Sequence, residues 1–181
     1  MNAMNVSHYP AVNFDQTVRR HTLSVIVDNE PGVLSRIAGL FSGRGYNIES
    51  LTVSETEAEK HISRITIVTS GSEKIIDQIK NHLDRLVPVH RVVDLTLQGE
   101  SIERELALLK VVGKGDQRME ALRLATAFGA RTIDATVTSF VFELTGATDD
   151  IERFIKVLAP CGLAEVSRTG IAAMGRGAEV M

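Results

Sequence analysis

One hydrophobic rhythm runs through this chain twice, and few folds can accommodate it. Residues 21–28 (HTLSVIVD) are rich in β-branched side chains and predict a strand. Asn29-Glu30-Pro31-Gly32 breaks it, and Val33, Leu34, Ile37, Ala38 and Phe41 follow at helical spacing, with Gly43 and Gly45 around the stop. Residues 46–53 and 62–69 read as strands joined by a charged turn at 55–60. Ser70 and Glu73 have capping-box spacing ahead of Ile75, Ile76, Ile79 and Leu83, and residues 89–97 supply a fourth strand. The order is β-α-β-β-α-β.

After a polar stretch at 98–103 the order returns. Residues 104–112 predict a strand, and Asp116 is placed to cap a helix carrying Met119, Leu122, Ala125 and Phe128. Residues 131–138 and 140–145 read as a strand pair. Thr148, Asp149 and Asp150 suit the positive end of a helix whose Ile151, Phe154, Ile155 and Leu158 lie on one face, and 164–173 is the last strand. The chain is therefore read as α+β, built from two ferredoxin-like βαββαβ units with helices on one face of an antiparallel sheet. Residues 1–18 are expected to be a flexible arm, 19–97 the first unit, 98–103 a linker and 104–181 the second unit. Each unit leaves one sheet face needing a cover, which points to pairing between units or between chains.

Composition narrows what such a chain can do. Its 181 residues carry a net charge of −3, and basic and acidic residues are balanced in both halves, so no basic face favours nucleic acid. With no Trp, two Tyr and six Phe, a base-stacking surface has little material. The single Cys161 cannot form an internal disulfide and fits a reducing cytosol. No run of apolar residues is long enough to span a membrane, and the first residues lack the pattern of a signal peptide, so a cytoplasmic location is expected. All five histidines lie in the first half, at spacings that suit no metal, and the second half has no His, Tyr or Trp. His61, His82 and His90 are expected at the surface or at strand edges. Glu143 is expected to be a solvated carboxylate without a partner. Gly43-Arg44-Gly45 and Gly113-Lys114-Gly115 complete no phosphate-loop pattern and read as turns. Neither a catalytic site nor a metal site is expected.

The most suggestive segment is Asn29-Glu30-Pro31-Gly32. A strand ends and a helix begins there, so unpaired backbone N–H groups face outward, and Gly32 lets a carboxylate come close. The same residues also make an ordinary helix start, and spacing alone does not choose between the two. Asn47 offers an amide for an ammonium or a carboxylate, or simply tolerates a turn.

The segment GLFSGRGYNIESLTV at residues 39–53, within NEPGVLSRIAGLFSGRGYNIESLTVSETE, resembles the ACT domain of acetolactate (acetohydroxyacid) synthase small, regulatory subunits. The resemblance continues through RVVDL at 91–95, REL at 104–106, FELTG at 142–146 and SRTGIAAMGRG at 167–177. It implies a non-catalytic partner of a large catalytic subunit in valine, leucine and isoleucine biosynthesis, raising that subunit's activity and conferring feedback inhibition by valine; the uncovered sheet face of each unit separately leads to the expectation of a homodimer. Thiamine diphosphate, Mg²⁺ and FAD would belong to the large subunit, and this chain would hold none. The resemblance places the effector site on Asn29, Gly32 and Asn47, with Pro31, Val33, Leu34 and Ile48 around them. The alternatives are a stand-alone small enzyme, which the thin catalytic inventory disfavours, and a free amino-acid-sensing ACT protein acting on transcription, for which no DNA-reading module is evident.

Overall fold

The computed structural model describes residues 17–97 and 99–181. The expected arm therefore lies almost wholly outside the described residues. The first unit contains β1 (Arg19–Asp28), α1 (Val33–Arg44), β2 (Ser50–Glu57), β3 (Ile62–Gly71), α2 (Glu73–Asp84) and β4 (Val89–Asp94). The second contains β5 (Ser101–Val112), α3 (Asp116–Ala127), β6 (Arg131–Ala135), β7 (Ser139–Gly146), α4 (Thr148–Leu158) and β8 (Leu163–Gly175). Each forms a four-stranded antiparallel sheet, in the order β2-β3-β1-β4 and β6-β7-β5-β8. The two expected βαββαβ units are present.

Alternation along the strands decides where each core lies. Leu23, Val25 and Val27 of β1 turn toward the helices, where Ile65 and Ile67 of β3 join Val33, Ile37 and Phe41 of α1 and Ile76, Ile79 and Leu83 of α2. Ala107, Leu109 and Val111 of β5 do the same in the second unit, against Phe140, Phe142, Ile151, Phe154 and Leu158. A third cluster fastens the units together. On the helix-free face of the first sheet, Val68, Val93 and Leu95 meet Ile171 and Ala173 from the long strand β8. The sheet face that needed a cover is thus partly covered from within the chain.

Several boundaries depart from expectation. Residues 46–49 are not strand, because β2 begins only at Ser50, opposite Val68. The α2 cap is Ser72, not Ser70; Ser70 stays in β3 and donates its hydroxyl to Glu49. Asp116 is the first residue of α3 and Gly115 takes the cap position. Ser101, Ile102 and Glu103 are not linker: they pair with Gly175, Met174 and Ala173 of β8. Local polarity suggested a connection there, but a partner strand distant in sequence supplies the ladder.

Candidate functional site

The turn between β1 and α1 is fixed from both sides. The Asn29 N–H donates to the His61 carbonyl at 2.6 Å, and His61 adopts φ 53°, in the left-handed region. Gly32 has φ 88° and is exposed, and apart from its chain neighbours no heavy atom of the described residues lies within 4 Å of where a Cβ would stand. The Val33 N–H closes the turn on the Glu30 carbonyl at 3.3 Å, and α1 continues with the Arg36 N–H on Gly32. The first turn of α1 thus presents backbone donors and the positive end of a helix dipole at an exposed surface. It contains no acidic residue that would compete for them.

The expected site residues fall into three groups. Asn29, Pro31 and Gly32 are exposed, and Leu34 is partly so. Val33 points into the core at 4% exposure and shapes the site only by anchoring the helix start. Asn47 is exposed and Ile48 half-buried, but both lie beyond the other end of the helix. Asn29 sits beside His61, just before β3, whereas the Asn47 carbonyl accepts from the Thr69 hydroxyl at 2.7 Å, near the end of β3. Eight residues of extended chain separate these points, roughly 25 Å at 3.3 Å per residue. One chain does not bring Asn29 and Asn47 together.

Glu55 went unread in the sequence, where it was only part of a charged turn. It extends from β2 to accept the Asn29 side-chain amide at 3.0 Å. A carboxylate beside a helix N-terminus gives the two charges that a zwitterion needs: an acceptor for an ammonium and donors for a carboxylate.

A second polar site lies between the units. Arg168 of β8 donates from Nε and Nη2 to both oxygens of Glu105, at 2.6 and 2.7 Å, and from Nη1 to Glu152 of α4. Glu105 is 5% exposed, so this fork is its compensation for burial. These contacts hold the Arg168 guanidinium even further from deprotonation than usual, with the hydrogen bond to Glu105 the largest cause. Arg20, Glu49 and Ser50 of the first unit face Arg168, Thr169 and Gly170 across a cleft of about 460 Å³. Nothing in the spacing of these residues joins them in the sequence.

The remaining titratable groups have structural surroundings. His82 is half-buried, stacked on Tyr46 with ring centroids 6.4 Å apart, rather than at the surface as expected. His21 is buried against Asp94, Nδ1 to carboxylate 2.8 Å, and His90 pairs with Asp28. Glu143 is not alone: Arg131 lies 3.2 Å away on the neighbouring strand. Cys161 packs into the second core, and burial raises its thiol pKa. Among the described residues, no group of three or more His, Cys, Asp or Glu side chains is placed to hold a metal ion.

Comparison with known proteins covers both units. Residues 23–91 match the family model for the AHAS small subunit-like ACT domain, and residues 104–177 match that for the small subunit of acetolactate synthase. A probable acetolactate synthase small subunit of Archaeoglobus fulgidus is 43% identical over 158 residues, 87% of this chain and 98% of that protein. The acetolactate synthase isozyme 3 small subunit of Salmonella typhimurium is 43% identical over 163 residues, 90% of this chain and 99% of its own length. The crystal structure of the acetolactate synthase small subunit from Thermotoga maritima superposes with a TM-score of 0.81 at 38% identity, covering 89% of this chain and 99% of that one.

Proposed function

Because the chain belongs to the acetolactate synthase small-subunit family, we propose that it is the regulatory subunit of such an enzyme. In this reading it has no catalytic site, raises the activity of the large subunit, and confers feedback inhibition by valine in branched-chain amino-acid biosynthesis. The large subunit carries the chemistry together with thiamine diphosphate, Mg²⁺ and FAD. The enzyme complex works in the cytoplasm.

The separation of Asn29 from Asn47 carries the reading of the effector site. Strand β2 is an edge of the first sheet, so one row of its backbone groups has no strand partner among the described residues. If β2 pairs antiparallel with β2 of a second copy, the start of one strand meets the end of the other. Asn47 and Ile48 of one protomer then face Asn29, Gly32 and Glu55 of its partner, twice, about a two-fold axis. The helix N-terminus takes the valine carboxylate, Glu55 takes the ammonium, the asparagine amides satisfy the remaining polar atoms, and Leu34, Pro31 and Ile48 enclose the side chain. Homodimerisation follows from the site itself.

Gly32→Asp tests this. The new carboxylate occupies the helix end that the effector needs, and loss of a charge-assisted contact costs about 1.5–3 kcal/mol, roughly 10- to 150-fold in affinity. Gly32→Ala is the matched control, because it shares the penalty of leaving glycine at positive φ, about 1–2 kcal/mol of stability, without the charge. Titrations of valine into the large subunit reconstituted with each variant should show full activation in all, and a large rightward shift only with aspartate. Unchanged valine sensitivity in Gly32→Asp would place the effector elsewhere.

A further inference from the structure

Three residues after Asn47, the chain makes its one side-chain hydrogen bond to the backbone of the other unit's sheet among the described contacts of β2: the Ile171 N–H of β8 donates to Ser50 Oγ at 3.1 Å. We infer that this bond, seated against Gly170, is the joint through which effector occupancy in the first unit reaches the second. The inference rests on the effector reading of Asn47 and Ile48 given above.

The joint is built on both sides. Ser50 is the first residue of β2, opposite Val68, and the Glu49 N–H is bonded to the Val68 carbonyl at 2.8 Å, so β3 seats Ser50 directly after the loop that carries Asn47 and Ile48. On the other side, the β5–β8 register slips between Glu105 and Ala107, leaving Thr169 and Gly170 as a bulge. Gly170 has φ 81°, and a Cβ there would stand 2.7 Å from Ser50 Oγ and 3.0 Å from Thr52 Oγ1. Only glycine allows β8 both to bend and to lie this close to β2. Two residues earlier, Arg168 is held by Glu105 of the central strand and Glu152 of α4. A shift of Ser50 therefore cannot be absorbed in a slack β8; it is passed to a strand clamped to the second core.

An effector can move the second unit only if it favours one of two arrangements of the intervening contacts. In the proposed dimer Asn47 and Ile48 contact the effector, and two residues further on the Ser50 hydroxyl either holds the Ile171 N–H or releases it. Glu49 reinforces the link, since Arg20 lies 3.5 Å from both Glu49 of the first unit and Glu103 of the second.

The test uses the full chain with Ser50→Ala and Gly170→Ala, each measured alone by calorimetry with valine and in the reconstituted enzyme. Ser50→Ala removes a single oxygen from a half-buried position and is the variant least disturbing to folding. Both variants should bind valine within about threefold of wild type and activate the large subunit normally. The midpoint of valine inhibition should rise at least about fivefold, the lower end of ordinary allosteric coupling. The double variant should be no worse than Gly170→Ala, because losing the hydroxyl relieves the 2.7 Å approach. An unchanged inhibition curve in Ser50→Ala, with wild type responding, overturns the joint and leaves the effector site standing. Loss of valine binding by free Ser50→Ala also overturns it, since Ser50 would then be part of the pocket. A wild-type chain that neither binds valine nor confers inhibition removes the reading beneath the joint, and the joint with it.

Discussion

His82 sits half-buried near the end of α2, with its Nδ1 sealed from solvent and without a partner among the described residues. Burial, and then the nearby Arg44 and Arg85, lower its pKa below the ordinary 6.5. The folded chain therefore resists a proton that the unfolded chain accepts. The neutral form costs nothing above the unfolded pKa, so this stability is complete near neutrality and is lost as pH falls below about 6.5 toward the lowered folded value. His82→Gln keeps a polar planar group but cannot titrate. Its melting temperature should change less than that of wild type between pH 7 and pH 5, and parallel curves for the two proteins would refute the assignment. Single residues were unevenly legible. The open turn at Gly32 could be read because a strand, a proline and a glycine announce it in consecutive positions. Ser50 and Gly170 could not, because 120 positions separate them and only the packed sheets make them neighbours. Arg168 and Glu105 were hidden for the same reason.

Elements were read best where one face is buried against helices. The spacing of Ile76, Ile79 and Leu83, and of Ile151, Phe154 and Leu158, placed α2 and α4 correctly because those side chains are the helix faces of the two cores. Boundaries set by distant partners were missed: β2 starts late and β5 starts early because β3 and β8 dictate their registers. Strand β6 is short for the opposite reason, being an edge with every residue exposed. α4 is the element on which the second core depends. Phe154 is fully buried, 5.0 Å from the Phe128 ring and 6.4 Å from Phe142, so three elements converge on it. Phe154→Ala should destabilise the chain by about 3–5 kcal/mol. Equilibrium denaturation in urea measures this directly, and a loss below 1 kcal/mol would mean that α4 does not carry the core as its contacts indicate.

At the scale of the whole molecule, the two units share one seam. Val68, Val93 and Leu95 are at most 4% exposed because Ile171 and Ala173 lie over them, and the Thr22 hydroxyl, buried beside this seam, donates to Glu103 of β5. Cutting after Leu97 removes that cover and exposes three aliphatic side chains on a sheet face, a patch that invites non-specific association. A fragment of residues 1–97 with Val68→Thr, Val93→Thr and Leu95→Thr keeps the helix-side core intact, since none of the three belongs to it. It also keeps the turn at Gly32, Glu55, Asn47 and the outer edge of β2, everything that the proposed composite effector site requires. The fragment should therefore dimerise and bind valine in calorimetry much as the full chain does. What it lacks is β8, hence the Ser50–Ile171 bond, the Arg168 fork and any surface of the second unit that meets the large subunit. Reconstituted with that subunit, it should respond to valine weakly, with inhibition shifted by at least about fivefold relative to the full chain. Binding and inhibition separate only if the second unit transmits the effect. Coinciding inhibition curves for fragment and full chain would mean that valine acts on the large subunit through the first unit directly, and the seam would then serve stability alone.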